Sequence, residues 1–117
     1  MYDEYFLDLV LNLVHSKDSS LNNLKNLASD ITIIGISGVT PDGKLTTSLM
    51  DEVEINQYMI NESTSKNILV CDSSKFYKAA NFKIGDIDKI DIVITDDNIE
   101  RKTIEMLEKH AVQLIIV

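Results

Sequence analysis

A chain of 117 residues builds one domain with a real core and is too short for two comfortable ones. Its 44% hydrophobic and 26% charged residues are those of an ordinary soluble globular protein, and no apolar run reaches the length of a membrane span. A formal net charge of −8, a single arginine at Arg101 and no basic run argue against direct contact with duplex DNA, whose binding rests on neutralising phosphates with Lys and Arg.

The N-terminus, "MYDEYFLDLV", is acidic where a secretory signal is basic. The lone Cys71 has no internal disulfide partner, which fits a reducing compartment. The cytoplasm is the expected location. Tyr5, Phe6, Leu9, Val10, Leu13 and Val14 recur at helical spacing, so residues 2–15 read as an amphipathic helix with a wide apolar face. "SKDSS" breaks it, and Ser19 or Ser20 caps a shorter helix over Leu21, Leu24 and Leu27.

The pattern changes at Ile31. "ITIIGI" is β-branched and apolar, as in a strand covered on both faces, and predicts a strand over 31–36. "SGVTPDGK" holds two glycines and the only proline and reads as a loop, its "PDG" being turn chemistry. A helix follows over 48–62, with Leu49, Met50, Val53 and Ile60 among the buried positions. "NILVC" is the second strand, at 67–71, and "DIVIT" the third, at 91–95. Asp96 or Asp97 caps a helix with Ile99, Thr103 and Leu107 on one face. "VQLIIV" closes the chain as a strand over 112–117. This alternation predicts an α/β fold: a four-stranded, mainly parallel sheet in a three-layer α/β/α arrangement.

Ligands of such sheets bind beyond the carboxyl ends of the strands. Ser37 and Gly38 end the first strand, Asp72, Ser73, Ser74 and Lys75 the second, and Thr95, Asp96 and Asp97 the third. Lysine meets a phosphate as a point charge, hydroxyls donate to it, and carboxylates accept from sugar hydroxyls. A phosphorylated polyol is therefore the expected ligand, held by Ser37, Gly38, Thr46, Thr47, Glu54, Asp72, Ser73, Ser74 and Lys75. The plainer readings stand beside this one. Asp72 and Ser73 cap a turn, Glu52 and Glu54 lie on a helix surface, and Cys71 fills space in a core. His110 complements a helix C-terminus, and neither it nor His15 has metal-ligand companions. No cofactor is expected.

The strand ending in Gly35 to Gly38, the "KLTT" of Lys44 to Thr47 and the E-x-x-x-x-M-I stretch of Glu54 to Ile60 form a series. "DSSKF" from Asp72 to Phe76 and "ITD" from Ile94 to Asp96 complete it. In this order they resemble the C-terminal effector domain of DeoR-family transcriptional regulators. The resemblance covers residues 28–117, with 1–27 a divergent helical segment of the same single domain. It implies a ribose-5-phosphate-isomerase-like fold that senses a phosphorylated sugar or related intermediate. Family members normally begin with a DNA-binding winged helix-turn-helix and carry an earlier βα unit with a phosphate-cradling loop. Nothing in this sequence resembles either, so DNA contact is expected only through a helix-turn-helix absent from this chain.

The alternative is a sugar-phosphate isomerase with Glu54 as the base that moves a proton between carbons. The isomerase loop at the first strand's end is rich in carboxylates, whereas "GISGV" has none, and the isomerase glycine run with its lysine is replaced by "KLTTS". These departures favour sensing over catalysis. The wide apolar face of residues 2–15 predicts association of the chain with itself. Light scattering at micromolar concentration is expected to show a homodimer or larger species, and a strict monomer would refute this.

Overall fold

A computed structural model describes residues 31–62 and 66–117. The helices expected at 2–15 and 21–27 lie outside them. Four strands form a sheet in the order β1 (Ile31–Ile34), β4 (Lys66–Val70), β6 (Ile92–Thr95) and β7 (Gln113–Ile116). Each neighbouring pair is parallel. The sequence supports this arrangement directly. Central strands of a parallel sheet are covered on both faces and read as continuous apolar runs, and from Asn67 to Val70 and from Ile92 to Thr95 every residue is buried. The outer strand β7 is only partly covered, with Gln113 and Ile116 exposed, Leu114 half-buried and Ile115 buried.

The register aligns Ile34, Leu69, Val93 and Leu114 across the sheet on one face. This row packs against helix α1 (Met50–Glu62) through Ile60 and helix α2 (Arg101–Lys109) through Met106 and Leu107. The α/β class and the parallel sheet are as expected. No described helix is long and apolar enough to cross a membrane.

A second sheet was not expected. The segment read as a loop, together with the three residues after it, forms β2 (Gly38–Val39) and β3 (Lys44–Thr47), and β3 pairs with β5 (Phe82–Asp86), all antiparallel. "KLTT" is too short and polar to announce a strand, and its partner lies far along the chain, so no local periodicity marks it. Leu45, Ile84 and Ile87 from this region join the common core.

Helix α1 also starts later than expected, at Met50, because Ser37 and Thr47 hold Ser48 and Leu49 in the preceding turn by accepting their N–H groups at 3.0 and 3.2 Å. Leu49 and Met50, expected to be buried, are exposed. Val53 is half-buried against the core, and Ile60 is buried.

The turn at "PDG" is as expected. Thr40 donates its N–H to Lys44 O at 3.0 Å, and Gly43 takes a left-handed φ of 85°. A Cβ on Gly43 would lie 2.7 Å from Cγ2 of the wholly buried Ile87. Gly43→Ala should therefore combine backbone strain with overpacking and lose about 2 kcal/mol. Thermal unfolding should show a midpoint lower by on the order of 10 °C, and an unchanged midpoint would contradict this packing.

Candidate functional site

Because β1, β4 and β6 run parallel, their carboxyl ends share one edge. After β4 the ladder continues for one more bond, from Cys71 N–H to Ile94 O at 3.1 Å. Asp72 then caps a single 3₁₀ turn over Ser73–Lys75. Its Oδ1 accepts from the Ser74 N–H at 2.9 Å and from the Ser74 hydroxyl. The reading of Asp72 as a turn cap is thus correct. The same turn also brings Lys75 back to Asp72, with its Nζ 3.9 Å from Asp72 Oδ2.

Asp96, at the tip of β6, accepts the Ser73 N–H at 2.8 Å and the Asn98 N–H at 3.0 Å. The tips of β4 and β6 are therefore tied directly. Burial opposes ionisation of Asp96, but the bonds from Ser73 and Asn98 outweigh it and hold the carboxyl below its ordinary value. The expectation that Asp96 or Asp97 caps the last helix is not met. Helix α2 begins at Arg101 with Glu100 at its N-cap, and no capping bond is made by that side chain. Thr103 and Leu107 are buried and Ile99 is half-buried, as its predicted face required.

The other expected residues form a second group around the small sheet. Ser37 donates its N–H to Thr46 O at 2.9 Å and its Oγ accepts the Ser48 N–H. The Thr46 hydroxyl is committed twice, donating to Gly38 O at 2.7 Å and accepting the Ala80 N–H at 2.9 Å. Thr47 is buried and accepts the Leu49 N–H at 3.2 Å. Gly38 leaves room for passing chain, since a Cβ there would stand 2.7 Å from Lys78 O. A parallel bridge between Val39 and Phe76 joins this group to the "DSSKF" turn, and the Lys78 N–H reaches Val39 O at 3.2 Å. Thr46 and Thr47 thus hold backbone in place, while Ser73, Ser74 and Lys75 line the edge.

Two expected residues stand elsewhere. Glu54 is exposed on the face of α1 opposite the buried Asn56 and Ile60. Thr95 is wholly buried, and its hydroxyl has no hydrogen-bond partner among the described residues. Cys71 is buried, and burial, then the charge of Asp72, pushes its thiol far above the ordinary value. The role of Asp96 was missed because an aspartate after a strand and before a helix carries the same signal as a cap.

A cleft of about 470 Å³ lies apart from the expected residues, between the "PDG" turn and α2. Pro41, Asp42, Tyr77, Lys102, Lys109 and His110 line it. Tyr77 sits there with a left-handed φ of 61°, its hydroxyl donating to Lys102 O at 3.3 Å and its ring 4.2 Å beneath Lys102 Nζ. His110 stands past the C-terminus of α2, and its Nδ1 is 2.6 Å from Asp88 Oδ1. Among the described residues, no group of three His, Cys, Asp or Glu side chains is placed to hold a metal ion.

A family model described as the DeoR C terminal sensor domain matches residues 12–97. The putative aga operon transcriptional repressor of Escherichia coli O157:H7 is 32% identical over 100 residues, covering 86% of this chain and 37% of the relative. The glycerol-3-phosphate regulon repressor of Escherichia coli K12 is 32% identical over 97 residues, 83% of this chain and 38% of the relative. The deoxyribose operon repressor of the same strain is 26% identical over 92 residues, 79% of this chain and 36% of the relative. The chain spans somewhat more than a third of the length of these curated relatives.

Asp96→Asn removes the charge and one of the two acceptor oxygens, so either the Ser73 or the Asn98 N–H bond is lost with it. It should cost about 1 kcal/mol at neutral pH. A carboxyl whose folded pKa is depressed contributes stability above its unfolded pKa, and that contribution disappears as pH falls through the folded value. Urea unfolding at a series of pH values should show the gap between wild type and variant fully open above about pH 5 and closing below about pH 4. A gap independent of pH would refute the charged tie.

Proposed function

Because the chain belongs to the DeoR C-terminal sensor domain family, we propose that the carboxyl edge of its parallel sheet binds a phosphorylated sugar or related intermediate. In this reading it is the effector-binding, non-catalytic domain of a transcriptional repressor of sugar metabolism. DNA is contacted by a separate helix-turn-helix, and the repressor is a homo-oligomer.

The observation that carries the reading is the turn after β4, where Lys75 Nζ returns to Asp72 at 3.9 Å and Ser73 is tied to Asp96. It supports the reading because a cation and two hydroxyl-bearing residues follow directly on the end of β4, tied to the tip of β6, in a chain that is acidic on balance. A local cation of this kind suits a small dianion better than a polyanion. Asp72 orients Lys75, a bound phosphate competes with Asp72 and Asp96 for the Ser74 and Ser73 hydroxyls, and Ser37 and Gly38 frame the neighbouring strand end. One matched relative is named for glycerol 3-phosphate, a ligand of the same chemical class. The isomerase alternative loses ground because Glu54 projects from the exposed face of α1, and a catalytic base must reach the proton that it moves.

Titration calorimetry with glycerol 3-phosphate and deoxyribose 5-phosphate tests the reading. Lys75→Ala removes a charge-assisted contact of about 1.5–3 kcal/mol and should weaken binding roughly ten- to a hundred-fold. Equal affinities would remove Lys75 from the site. An absence of binding by the wild type would overturn the effector reading for this chain, and turnover of ribose 5-phosphate would overturn the non-catalytic one.

A further inference from the structure

Helix α1 presents an unusual outward face. Met50 is 68% exposed, Ile55 62% and Tyr58 70%, and Leu49 just before the helix is 46% exposed. Met50, Glu54 and Tyr58 follow one another at i, i+4 and i+8. Asp51, Ile55, Tyr58 and Glu62 follow at i, i+4, i+7 and i+11, so the two rows converge on Tyr58. The buried residues Asn56 and Ile60 occupy the opposite side. The helix carries Asp51, Glu52, Glu54 and Glu62 and no lysine or arginine. Large apolar side chains left in water beside one sign of charge mark a surface made for a partner, and a solvent-facing tyrosine ringed by charge is a common anchor of such contacts.

Charge decides which partner. A second copy docked through the same face would set Asp51, Glu54 and Glu62 against their own counterparts. The chain's own first thirty residues carry Asp3, Glu4, Asp8, Asp18 and Asp30 against Lys17 and Lys25, so they too are acidic on balance. We propose that the outward face of α1 docks a basic amphipathic helix of a partner protein. Tyr58 and Ile55 enter that helix's apolar seam, and Asp51, Glu54 and Glu62 meet its flanking lysines or arginines. This surface is independent of the effector site, because none of Asp72, Ser73, Ser74 or Lys75 lies on it.

The probe is a synthetic amphipathic peptide helix of leucine and lysine, with a leucine–glutamate peptide of identical pattern as the control. The 117-residue chain is titrated with each, by fluorescence anisotropy and by amide chemical-shift mapping. Only the lysine peptide should bind, its shifts should centre on residues 49–62, and added salt should weaken it. Tyr58→Ala should reduce affinity about tenfold or more, and the pair E54K and E62K should transfer the preference to the glutamate peptide. These residues are exposed, so melting curves should match the wild type. Ile55→Ser provides a second apolar deletion with the same expected direction. Failure of the lysine peptide to bind, or binding indifferent to Tyr58 and to charge reversal, overturns the proposal. Loss of a wild-type oligomer on Tyr58→Ala overturns it in favour of a second copy.

Discussion

Parallel strands cannot be joined by a tight turn. Each return to the sheet requires a crossover, and every strand must therefore leave at the same edge. In this domain that constraint gathers Ser37, Asp72 to Lys75, and Asp96 at one end of β1, β4 and β6. Polar residues that are far apart in the chain become neighbours because the apolar runs between them must pair. The bond from the Ser73 N–H to Asp96 at 2.8 Å is the local consequence. A backbone donor just past one strand is satisfied by a carboxylate just past the next, and the turn carrying Lys75 is held in place.

The opposite edge uses the same economy. Asn67 starts the buried part of β4, and its Nδ2 donates to Ile60 O at 3.1 Å and to Lys89 O at 2.9 Å. Helix α1 has no basic residue in its last turn, so a neighbouring amide serves a carbonyl left unpaired at the helix end. The Asn67 N–H is in turn accepted by Asp91 Oδ2 at 2.8 Å. Between these two edges, the small antiparallel sheet fills the space beside the helices. The committed hydroxyl of Thr46 and the cramped position of Gly38 allow the chain from Phe76 to Ala80 to run alongside β2.

Acidic charge is distributed by the same folding. Lys44 pairs with Asp86, and Lys75 with Asp72, so these cations each stand against a carboxylate. The bond and charge of Lys44 hold Asp86 below its ordinary pKa, and Asp86 in turn raises that of Lys44. Helix α1 has no such compensation on its own sequence. The acidic residues Asp51, Glu54 and Glu62 of α1 thus stand without a basic residue on the same helix.

The amino-acid sequence by itself determined the parallel sheet. Runs such as "NILVC" and "DIVIT" have only one way to bury both faces, and the helical spacing of Thr103 and Leu107 placed α2 against them. It also determined the turn at Gly43 and the capped turn at Asp72, because both are set by residues within a few positions of each other. Tertiary structure alone decided the rest. The second sheet depends on pairing Lys44–Thr47 with Phe82–Asp86, and no local pattern reports a partner so distant. Asp96 joined Ser73 rather than a helix because the neighbouring strand tip offered a nearer donor. Leu49 and Met50 were left in water because the Ser48 and Leu49 N–H groups donate to the Ser37 and Thr47 hydroxyls, which delays the helix start. Hydrophobic pattern records how much of a residue must be buried, whereas the choice among competing polar partners is made only when the chain brings them within reach.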